Sequence, residues 1–375
     1  MNTLKKMQLL SDSAQFDLCD YNYQNMKSSE NLPGIYQSTG HGGCKYPIFK
    51  TLMTNKCSND CKYCINQSKR DFTRASLEPE DVTKVFLDYY EKGLVEGLFL
   101  SSGIDKDEDK TMERIVETAR LLRMKHGFDG YIHLKIIPGA SRDIIKRAMN
   151  FANRVSVNIE AATPDGLAEL SSTKDYQKDL LSRIRWIRKF NKRDPSKYAP
   201  SGQTTQIIVG ANDEDDVEVL NRVKWLYDKM DLKRSYFSIF QSEVGTELEK
   251  QDNCDSKRGV QLYHADALVS RYRYRVEELA FNNGYLSLDK DPKVLAALQM
   301  DMFPVEINTA RFSQLIRVPG IGEKSARDII KLRKQHPFRN IDDLGETPVV
   351  VERAEPFIKI NGSYQSSLDP IIKKR

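Results

Sequence analysis

Residues 47–67 read PIFKTLMTNKCSNDCKYCINQ, a short β-rich run that leads directly into a cluster of three cysteines. Cys57, Cys61 and Cys64 form a C-x3-C-x2-C array with no fourth cysteine close downstream. Closed metal sites in proteins usually take four side-chain ligands, as in tetrahedral zinc cages and four-cysteine ferredoxins. The array therefore predicts a metal centre whose fourth position must be filled from elsewhere.

The cysteine loop is followed by a long alternation of β-rich runs and helical periodicity. The runs predicted as strands are PIFKTLM (47–53), EGLFLSS (96–102), GYIHLKII (130–137), RVSVNIE (154–160), TTQIIVG (204–210) and SYFSIFQ (235–241). Helical patterns with 3.6-residue periodicity follow them, such as residues 79–93 and 111–127. Six βα units predict a parallel sheet that forms a barrel or part of one, with functional sites at the C-terminal strand ends.

Polar side chains alternate with apolar ones in two of these runs. His133 and Lys135 share one face of the third run, and Ser156, Asn158 and Glu160 share one face of the fourth. Polar groups that are buried without partners cost a few kcal/mol each, so these faces are predicted to line a cavity. A hydrogen-bonded structural role for His133 or Lys135 is equally compatible with the pattern.

Length and composition predict a two-domain globular protein. The chain has 375 residues, 39% of them hydrophobic and 30% charged, with no apolar run long enough to cross a bilayer. We expect an irregular lead-in over residues 1–45, a barrel over 46–285, a linker over 286–303 and a helical domain over 304–375. The first residues lack the apolar core of a signal peptide, so we expect a cytoplasmic protein. In that reducing compartment a tight cysteine array favours a metal site over disulfides.

The net charge of +5 is unevenly distributed along the chain. Residues 311–339 hold eight Lys or Arg and two acidic residues, and residues 178–197 hold the same numbers. Residues 271–275, RYRYR, interleave arginine with tyrosine. Windows of this kind are typical of surfaces that bind polyanions, although a solvated helix face explains residues 178–197 equally well.

The basic window 311–339 contains the stretch VPGIGEKSARDII, residues 318–330. The pattern predicts that one helix ends, that Pro319 to Gly322 form a tight turn, and that a second helix begins. Glycines let the backbone approach a ligand closely, and the N–H groups at a helix start favour an anion. The candidate DNA-binding residues are Pro319, Gly320, Ile321, Gly322, Lys324, Ser325 and Arg327. An αα-hairpin used for packing or for a protein partner is the alternative.

The three-cysteine array on the loop after the first strand of a βα repeat resembles the radical S-adenosylmethionine enzymes. The turn, with INTA before it and PF-x-x-I-x-D-L after it, is similar to the helix-hairpin-helix of DNA repair proteins. Together they resemble the DNA modification or repair radical S-adenosylmethionine proteins, and LKIIPGAS, SVNIE and FPVEINTA also fit that family. The resemblance implies a partial (β/α)6 TIM-like barrel with a C-terminal all-α helix-hairpin-helix domain.

The family resemblance also implies cofactors and partners. Cys57, Cys61 and Cys64 would hold a 4Fe-4S cluster whose open iron binds S-adenosylmethionine, which is reductively cleaved to a 5′-deoxyadenosyl radical. DNA would be held by its phosphate backbone with little sequence preference, and a flavodoxin or ferredoxin would donate the electron. The implied cofactor contacts are Tyr63, Ser101, Ser102, Gly103, Asn158, Glu160 and Gly210. Ser101, Ser102 and Gly103 depart from the Gly-Gly-Glu of many relatives.

Three alternatives follow from the same residues. A structural metal site, zinc or a cluster, would take Cys44 or His41 as a fourth ligand, while Cys19 and Cys254 are predicted to be buried thiols. A radical enzyme that modifies RNA would use residues 178–197 and 271–275 to bind single strands by charge and stacking. A non-catalytic DNA-binding iron-sulfur protein would not cleave S-adenosylmethionine under any reductant.

Overall fold

The structure is a computed structural model that describes residues 1–17, 32–39 and 44–364. The chain forms two compact units. The first contains residues up to Glu214 together with Trp225–Ser256, and the second contains Asp215–Lys224 together with the chain from Lys257 onward. No helix among the described residues is both long and apolar enough to cross a membrane.

A seven-stranded sheet, curled into a half-barrel, forms the centre of the first unit. Its strands are β1 (Ile35–Thr39), β2 (Lys45–Leu52), β3 (Gly97–Ser101), β4 (Tyr131–Lys135), β5 (Arg154–Ser156), β6 (Gln203–Val209) and β7 (Arg234–Ile239). They lie side by side in chain order; β1 is antiparallel to β2, and β2 to β7 are all parallel. The six parallel strands confirm the predicted βα repeat.

Helices follow the parallel strands, as expected for right-handed βα crossovers. The helices up to β7 are α1 (Thr3–Ser13), α2 (Pro79–Glu91), α3 (Glu108–Arg120), α4 (Arg142–Phe151), α5 (Pro164–Leu170), α6 (Ser182–Arg193) and α7 (Asp216–Met230). Helix α2 begins with a proline at its first position and has two acidic residues in its first turn, and both favour a helix start. Gly93, at φ +68°, ends it in the left-handed region, as its sequence predicted.

The inner face of the sheet carries the polar side chains that the alternation predicted. His133 shares a 2.9 Å hydrogen bond with Ser156 and lies edge-on to Phe99, so it has the structural role that the sequence left open. Burial, with Arg154 and Lys135 nearby, holds the pKa of His133 well below its ordinary value. Lys135 instead lines a cavity and pairs with Asp17.

The predicted irregular lead-in is wrong for most of its described residues. Thr3–Ser13 form α1, capped by the Asn2 side chain, and Ile35–Thr39 form the antiparallel edge strand. Tyr36 donates a hydrogen bond to the Ser11 carbonyl oxygen, which ties α1 to the sheet. These elements were missed because their stability comes from tertiary contacts with β2, and a short segment shows little periodicity of its own.

The second unit contains the remaining helices and a small sheet. They are α8 (Ser256–Ser270), α9 (Pro292–Leu298), α10 (Phe312–Leu315), α11 (Glu323–Leu332), α12 (Val351–Ala354), β8 (Val305–Glu306), β9 (Ile358–Ile360) and β10 (Ser363–Tyr364). One apolar cluster forms its core, with Ile307, Leu315, Ile329 and Phe357 among its members. Within the predicted linker 286–303, α9 packs into this core through Ala297.

The small sheet corrects the prediction of an all-α C-terminal domain. Strand β9 pairs with β8 in parallel and with β10 in an antiparallel hairpin. The hairpin turn is Asn361–Gly362, and both residues have positive φ, at +53° and +82°. An Asn-Gly pair between two strands is the usual sequence of such a two-residue turn. The signal was therefore present, but it was overlooked because the strands are only two and three residues long.

Candidate functional site

The three cysteines of the C-x3-C-x2-C array line one cavity of about 360 Å³ in the first unit. Cys61 is buried, and Cys57 and Cys64 are half-buried. The cavity lies where the parallel strands end, as predicted for a barrel of this kind. Of the residues predicted to contact a cofactor, those that line it are Tyr63, Ser101, Ser102, Gly103, Asn158 and Glu160. Gly210 does not line it; its carbonyl oxygen accepts a hydrogen bond from Gln251.

Arg74 fixes the conformation of the cysteine loop from within. Its guanidinium donates to four backbone carbonyl oxygens of that loop, at 2.6 to 2.9 Å: those of Asn55, Asn66, Gln67 and Arg70. The guanidinium also lies over the Phe72 ring, 3.8 Å from its centroid. A guanidinium has five donors in a rigid plane. One side chain therefore supplies the hydrogen bonds that the loop's carbonyl oxygens would otherwise receive from a helix or a sheet.

Asp60 fastens the same loop to the segment that follows α5. Its carboxylate accepts hydrogen bonds from the hydroxyl groups of Ser171, Ser172 and Thr173 and from two backbone N–H groups there. Burial alone would raise the pKa of Asp60, but these hydrogen bonds hold it far below its ordinary value. The carboxylate is therefore ionised at neutral pH, and it anchors the loop between Cys57 and Cys61.

Gly103 lies where the chain after β3 crosses the cysteine loop. A Cβ atom at this position would lie 2.3 Å from the Lys56 carbonyl oxygen, and the Gly103 N–H donates to the Thr54 carbonyl oxygen at 2.8 Å. Ser101 donates its hydroxyl to Asp17, and Ser102 donates to the Gly103 carbonyl oxygen. The structure thus gives Gly103 a packing role; cofactor contacts of these three residues stay a prediction.

Glu160, Lys174 and Tyr63 form a polar cluster beside Cys61. Lys174 donates to the Glu160 carboxylate at 3.0 Å and also contacts the Cys61 thiol, and the Tyr63 hydroxyl lies next to Glu160. Burial would lower the pKa of Lys174, but Cys61 and Glu160 raise it above its ordinary value. Burial and Glu160 raise the pKa of Tyr63. Lys174 was not predicted from the sequence, since no local pattern distinguishes it from a surface lysine.

The cavity places thiols in a setting that favours their neutral form unless a cation is bound. Burial raises the pKa of Cys61 and Cys64, and for Cys64 the neighbouring Cys61 and Cys57 raise it further. Metal ligands must be thiolates, so metal binding would release protons here. The ammonium of Lys174 is the buried positive charge next to these sulfur atoms.

The donor set fits an iron-sulfur cluster better than a single metal ion. No group of three or more His, Cys, Asp or Glu side chains is arranged to hold one ion, as far as the structure describes the chain. In a cluster each thiolate binds its own iron, so the sulfur atoms need only surround a common space. The cavity wall also contains the Asn66 side-chain oxygen, which is buried and has no partner among the described residues.

Of the two predicted fourth ligands, Cys44 and His41, the structure describes Cys44, and this thiol does not join the site. Cys44 is exposed and does not line the cavity. Cys254, which was predicted to be a buried thiol, is only half-buried, with its thiol 3.8 Å from the Asp255 carbonyl oxygen. His41 and Cys19 lie outside the described residues. Within the described residues, the cavity therefore offers three thiols and no fourth.

The predicted hairpin is a second candidate site, in the second unit. The turn from Val318 leads into α11, whose N-cap is Gly322 at φ −96° with no side-chain cap, and the first N–H that bonds within α11 is that of Ala326. The three preceding amides are therefore directed out of the helix start, as an anion site requires. Lys324 and Arg327 are exposed next to them.

The other predicted DNA-binding residues are engaged in packing. Pro319, Ile321 and Ser325 are buried, and Ser325 donates to the Pro348 carbonyl oxygen at 2.7 Å. Gly320, at φ +80°, lies against the backbone near α12, where a Cβ atom would be 2.4 Å from the Val350 carbonyl oxygen. The accessible part of the hairpin is thus the Gly322 end and the exposed cations of α11.

Several cations of the basic windows have structural partners. Arg317 pairs with Glu278 at 2.8 Å, and Arg333 donates to the carbonyl oxygens of Ile307 and Ala310. In the window 178–197, Arg183 donates to backbone carbonyl oxygens at 139, 140 and 178. Tyr274 of the RYRYR stretch is completely buried. The charge counts therefore overstated the number of groups available to a nucleic acid.

Comparison with known proteins adds two matches. Residues 51–226 match the family model described as the Radical SAM superfamily, and residues 303–358 match that of the helix-hairpin-helix motif. No curated protein gives a significant match. The chain thus contains a radical SAM (S-adenosylmethionine) domain and a helix-hairpin-helix motif.

Solved structures that resemble the chain do so at low identity. They include the hydrogenase maturase HydG from Carboxydothermus hydrogenoformans (14% identity, 60% of this chain, 51% of that chain, TM-score 0.47) and methylornithine synthase PylB (15%, 60%, 63%, 0.47). SuiB of Streptococcus suis is a third (10%, 72%, 55%, 0.42). The chain spans less than two thirds of the length of each of these proteins.

Proposed function

We propose that this protein, a radical SAM enzyme, uses Cys57, Cys61 and Cys64 to hold a 4Fe-4S cluster and acts on DNA. The observation that supports the cluster best is the convergence of the three thiols on one cavity that has no fourth thiol among its described lining residues. When bound, the cluster and S-adenosylmethionine supply a radical that abstracts a hydrogen atom from the substrate. The electron comes from a reduced flavodoxin or ferredoxin.

The residues of the cavity bind and orient the cofactor. Arg74 and Asp60 hold the cysteine loop in one conformation, which positions the thiols before any metal arrives. Glu160 and Asn158 offer acceptors for hydroxyl and amino groups, and Lys174 offers a buried cation for a carboxylate. The apolar wall, which includes Ile137, Ile208 and Phe240, would exclude water from a reactive radical.

The helix-hairpin-helix supports DNA as the substrate. Free backbone amides at the start of α11 and the exposed Lys324 can bind phosphate oxygens, and neither reads base edges. Binding through them would be sensitive to salt and tolerant of sequence. RNA is the weaker candidate, since the Arg-Tyr stretch and the basic helix α6 contribute structural residues instead of a continuous surface.

Anaerobic reconstitution with iron, sulfide, reductant and S-adenosylmethionine tests the first half of the proposal. We expect about four irons per chain and formation of 5′-deoxyadenosine. Alanine at Cys57, Cys61 or Cys64 should remove both, while Cys44→Ala, a matched exposed thiol outside the cavity, should retain both. Zinc in place of iron in anaerobically purified protein, with no 5′-deoxyadenosine, would overturn the assignment.

Fluorescence anisotropy with two unrelated DNA duplexes and a tRNA, over a salt series, tests the second half. Gly322→Val should weaken binding to both duplexes about tenfold, because the added side chain lies where phosphate must approach. Lys324→Ala should reduce the salt slope by about one unit. Gly345→Val is the matched control, since no atom lies within 4 Å of its Cβ position. Unchanged affinity in Gly322→Val would show that DNA is not bound here, and tighter tRNA binding would favour RNA.

A further inference from the structure

The N-terminal segment reaches the cysteine cavity. Four of its residues line that cavity: Ser13, Gln15, Phe16 and Asp17. Inner-face side chains from three strands hold the segment there. The Asp17 carboxylate accepts from Ser101 of β3 at 2.6 Å and from the Lys135 ammonium of β4, and the Phe16 carbonyl oxygen accepts from Gln206 of β6 at 3.0 Å.

All three contacts are hydrogen bonds that run from the sheet to the segment. In each of these three hydrogen bonds the sheet side chain donates, and Phe16 and Asp17 supply the acceptors, two carboxylate oxygens and one carbonyl oxygen. The three donors are nearly buried, with 2% of Ser101, 9% of Lys135 and 4% of Gln206 exposed, so losing these acceptors without replacement would be costly. A phosphate group offers the same set of charged, acceptor-only oxygens.

The charges on the inner face also require an anion. Lys50 is completely buried, with its ammonium 4.7 Å from the Tyr36 ring centroid, and it acts on the Asp17 carboxylate together with Lys135. Asp17 is therefore held ionised between two buried cations, although burial alone would favour its neutral form. Its removal without replacement would leave the buried Lys135 ammonium without the carboxylate that it contacts.

We propose that Ser101, Lys135 and Gln206 form a subsite for a phosphate group of a nucleotide substrate, and that the Phe16–Asp17 peptide occupies this subsite until the substrate displaces it. The inference rests on the proposed function, because a nucleic acid substrate brings phosphate into the cavity that holds the cluster. It also assigns the two buried lysines that line the cavity, Lys135 and Lys174, to different ligands. Lys174, which contacts Cys61, would meet the cofactor carboxylate, and Lys135 would meet the substrate.

The subsite would bind a nucleotide that has been unstacked from its duplex. A cavity of about 360 Å³ that also holds the cofactor is too small for a duplex, so the nucleotide would have to be unstacked. The displaced Asp17 would return when the product leaves. An internal acidic peptide of this kind would also protect the cavity while no substrate is present.

Binding of the four deoxynucleoside 5′-monophosphates to the full-length protein, measured by calorimetry beside the unphosphorylated deoxynucleosides, tests the proposal. Asp17→Asn should bind the best monophosphate about tenfold more tightly, because a neutral amide competes poorly for Lys135. Asp12→Asn is the control, a carboxylate on the same segment that pairs with Gln8 at the surface. Nucleosides should bind wild type and Asp17→Asn equally.

Lys135→Met in the Asp17→Asn background should lose the gained affinity, and the double variant avoids an unpaired buried carboxylate. Equal or weaker nucleotide binding by Asp17→Asn, or no binding at millimolar concentration, would overturn the proposal and make Asp17 a permanent part of the wall. If Lys135→Met weakens S-adenosylmethionine and not nucleotides, the anion is the cofactor carboxylate. Failure of the proposed function would appear elsewhere, as absent 5′-deoxyadenosine or unchanged duplex binding in Gly322→Val.

Discussion

Three single residues fix the backbone of the cysteine loop by close packing or by hydrogen bonds. Gly103, Arg74 and Asp60 each meet the loop at a different point, and none of them is a ligand. A cluster site needs thiolates at fixed positions, so residues that only hold the backbone still decide whether metal is retained. Their contribution can be separated from that of the cysteines by substitutions that leave all three thiols in place.

Gly103→Ala should disturb the cysteine loop although it adds one methyl group. The new Cβ would lie 2.3 Å from the Lys56 carbonyl oxygen, a backbone atom next to Cys57, so the loop must shift. We expect a loss of about 2 kcal/mol in the free energy of unfolding and a reduced iron content. Thermal unfolding and iron analysis measure both. Gly345→Ala, which meets no atom within 4 Å, should change neither; full iron loading in Gly103→Ala would contradict the packing role.

The residues of the site differ in how far the sequence could predict them. The convergence of the three cysteines on one cavity could be predicted, because their close spacing is a local property of the chain, and their role as ligands stays a prediction. Lys174 and Asp17 could not, because they reach the cavity from a loop after α5 and from the N-terminal segment, by tertiary folding alone. Gly103 was predicted at the right place for a different reason, since a glycine near a ligand and a glycine at a chain crossing look alike in sequence.

Among the elements, α9 places a lysine under the hairpin turn. The ammonium of Lys293 donates to the Ile321 carbonyl oxygen at 2.6 Å and lies 4.6 Å from the Tyr272 ring centroid. Burial lowers the pKa of Lys293 to about 7, with Asp291 opposing the shift and Arg353 adding to it. The hairpin conformation is therefore linked to a group that titrates near neutral pH.

The free energy of unfolding should depend on pH through Lys293. The unfolded lysine keeps its proton up to about pH 10.4, whereas the folded one loses it near pH 7, so the unfolded state binds more protons between these values. Stability should rise with pH in that window, by roughly 1 kcal/mol per unit. Lys293→Met should be more stable than wild type below pH 7, and the difference should shrink as pH rises.

Urea unfolding at several pH values between 6 and about 10 measures this difference. Lys331→Met, at an exposed position of α11, is the control and should follow wild type throughout. A difference between Lys293→Met and wild type that stays constant across the series would mean that the buried ammonium keeps its charge.

The parallel strands of the first unit were predicted well, and the elements of the second unit less so. Parallel strands such as β3 are buried on both faces and therefore read as continuous apolar runs, which identify them without any structure. In the second unit α10 has four residues and β8 has two, too few for any periodicity to appear. Their positions depend on the apolar cluster around Ile307 and Phe357, which brings distant parts of the chain together.

At the scale of the whole molecule, two units were expected from length, but their boundary was not. The sequence predicted a linker at 286–303 because that segment is rich in turn signals. The structure assigns it, with residues 257–285 and Asp215–Lys224, to the second unit. The segment Asp215–Lys224 belongs there because Asp216 pairs with Arg258 at 2.8 Å and accepts a hydrogen bond from the Leu286 N–H. Such pairings over long sequence separations leave no local signal.

Limited proteolysis with a non-specific protease should reveal this boundary. Among the described residues, we expect the first internal cut within 241–255, where Val244 is 82% exposed and the chain forms turns. The segment 286–303 should resist, because α9 buries Pro292, Ala296 and Ala297. Mass spectrometry of early fragments identifies the cuts, and chain unfolded in urea should be cut in both segments. An early cut between 286 and 303 in the folded protein would restore the predicted linker and contradict the packing of α9.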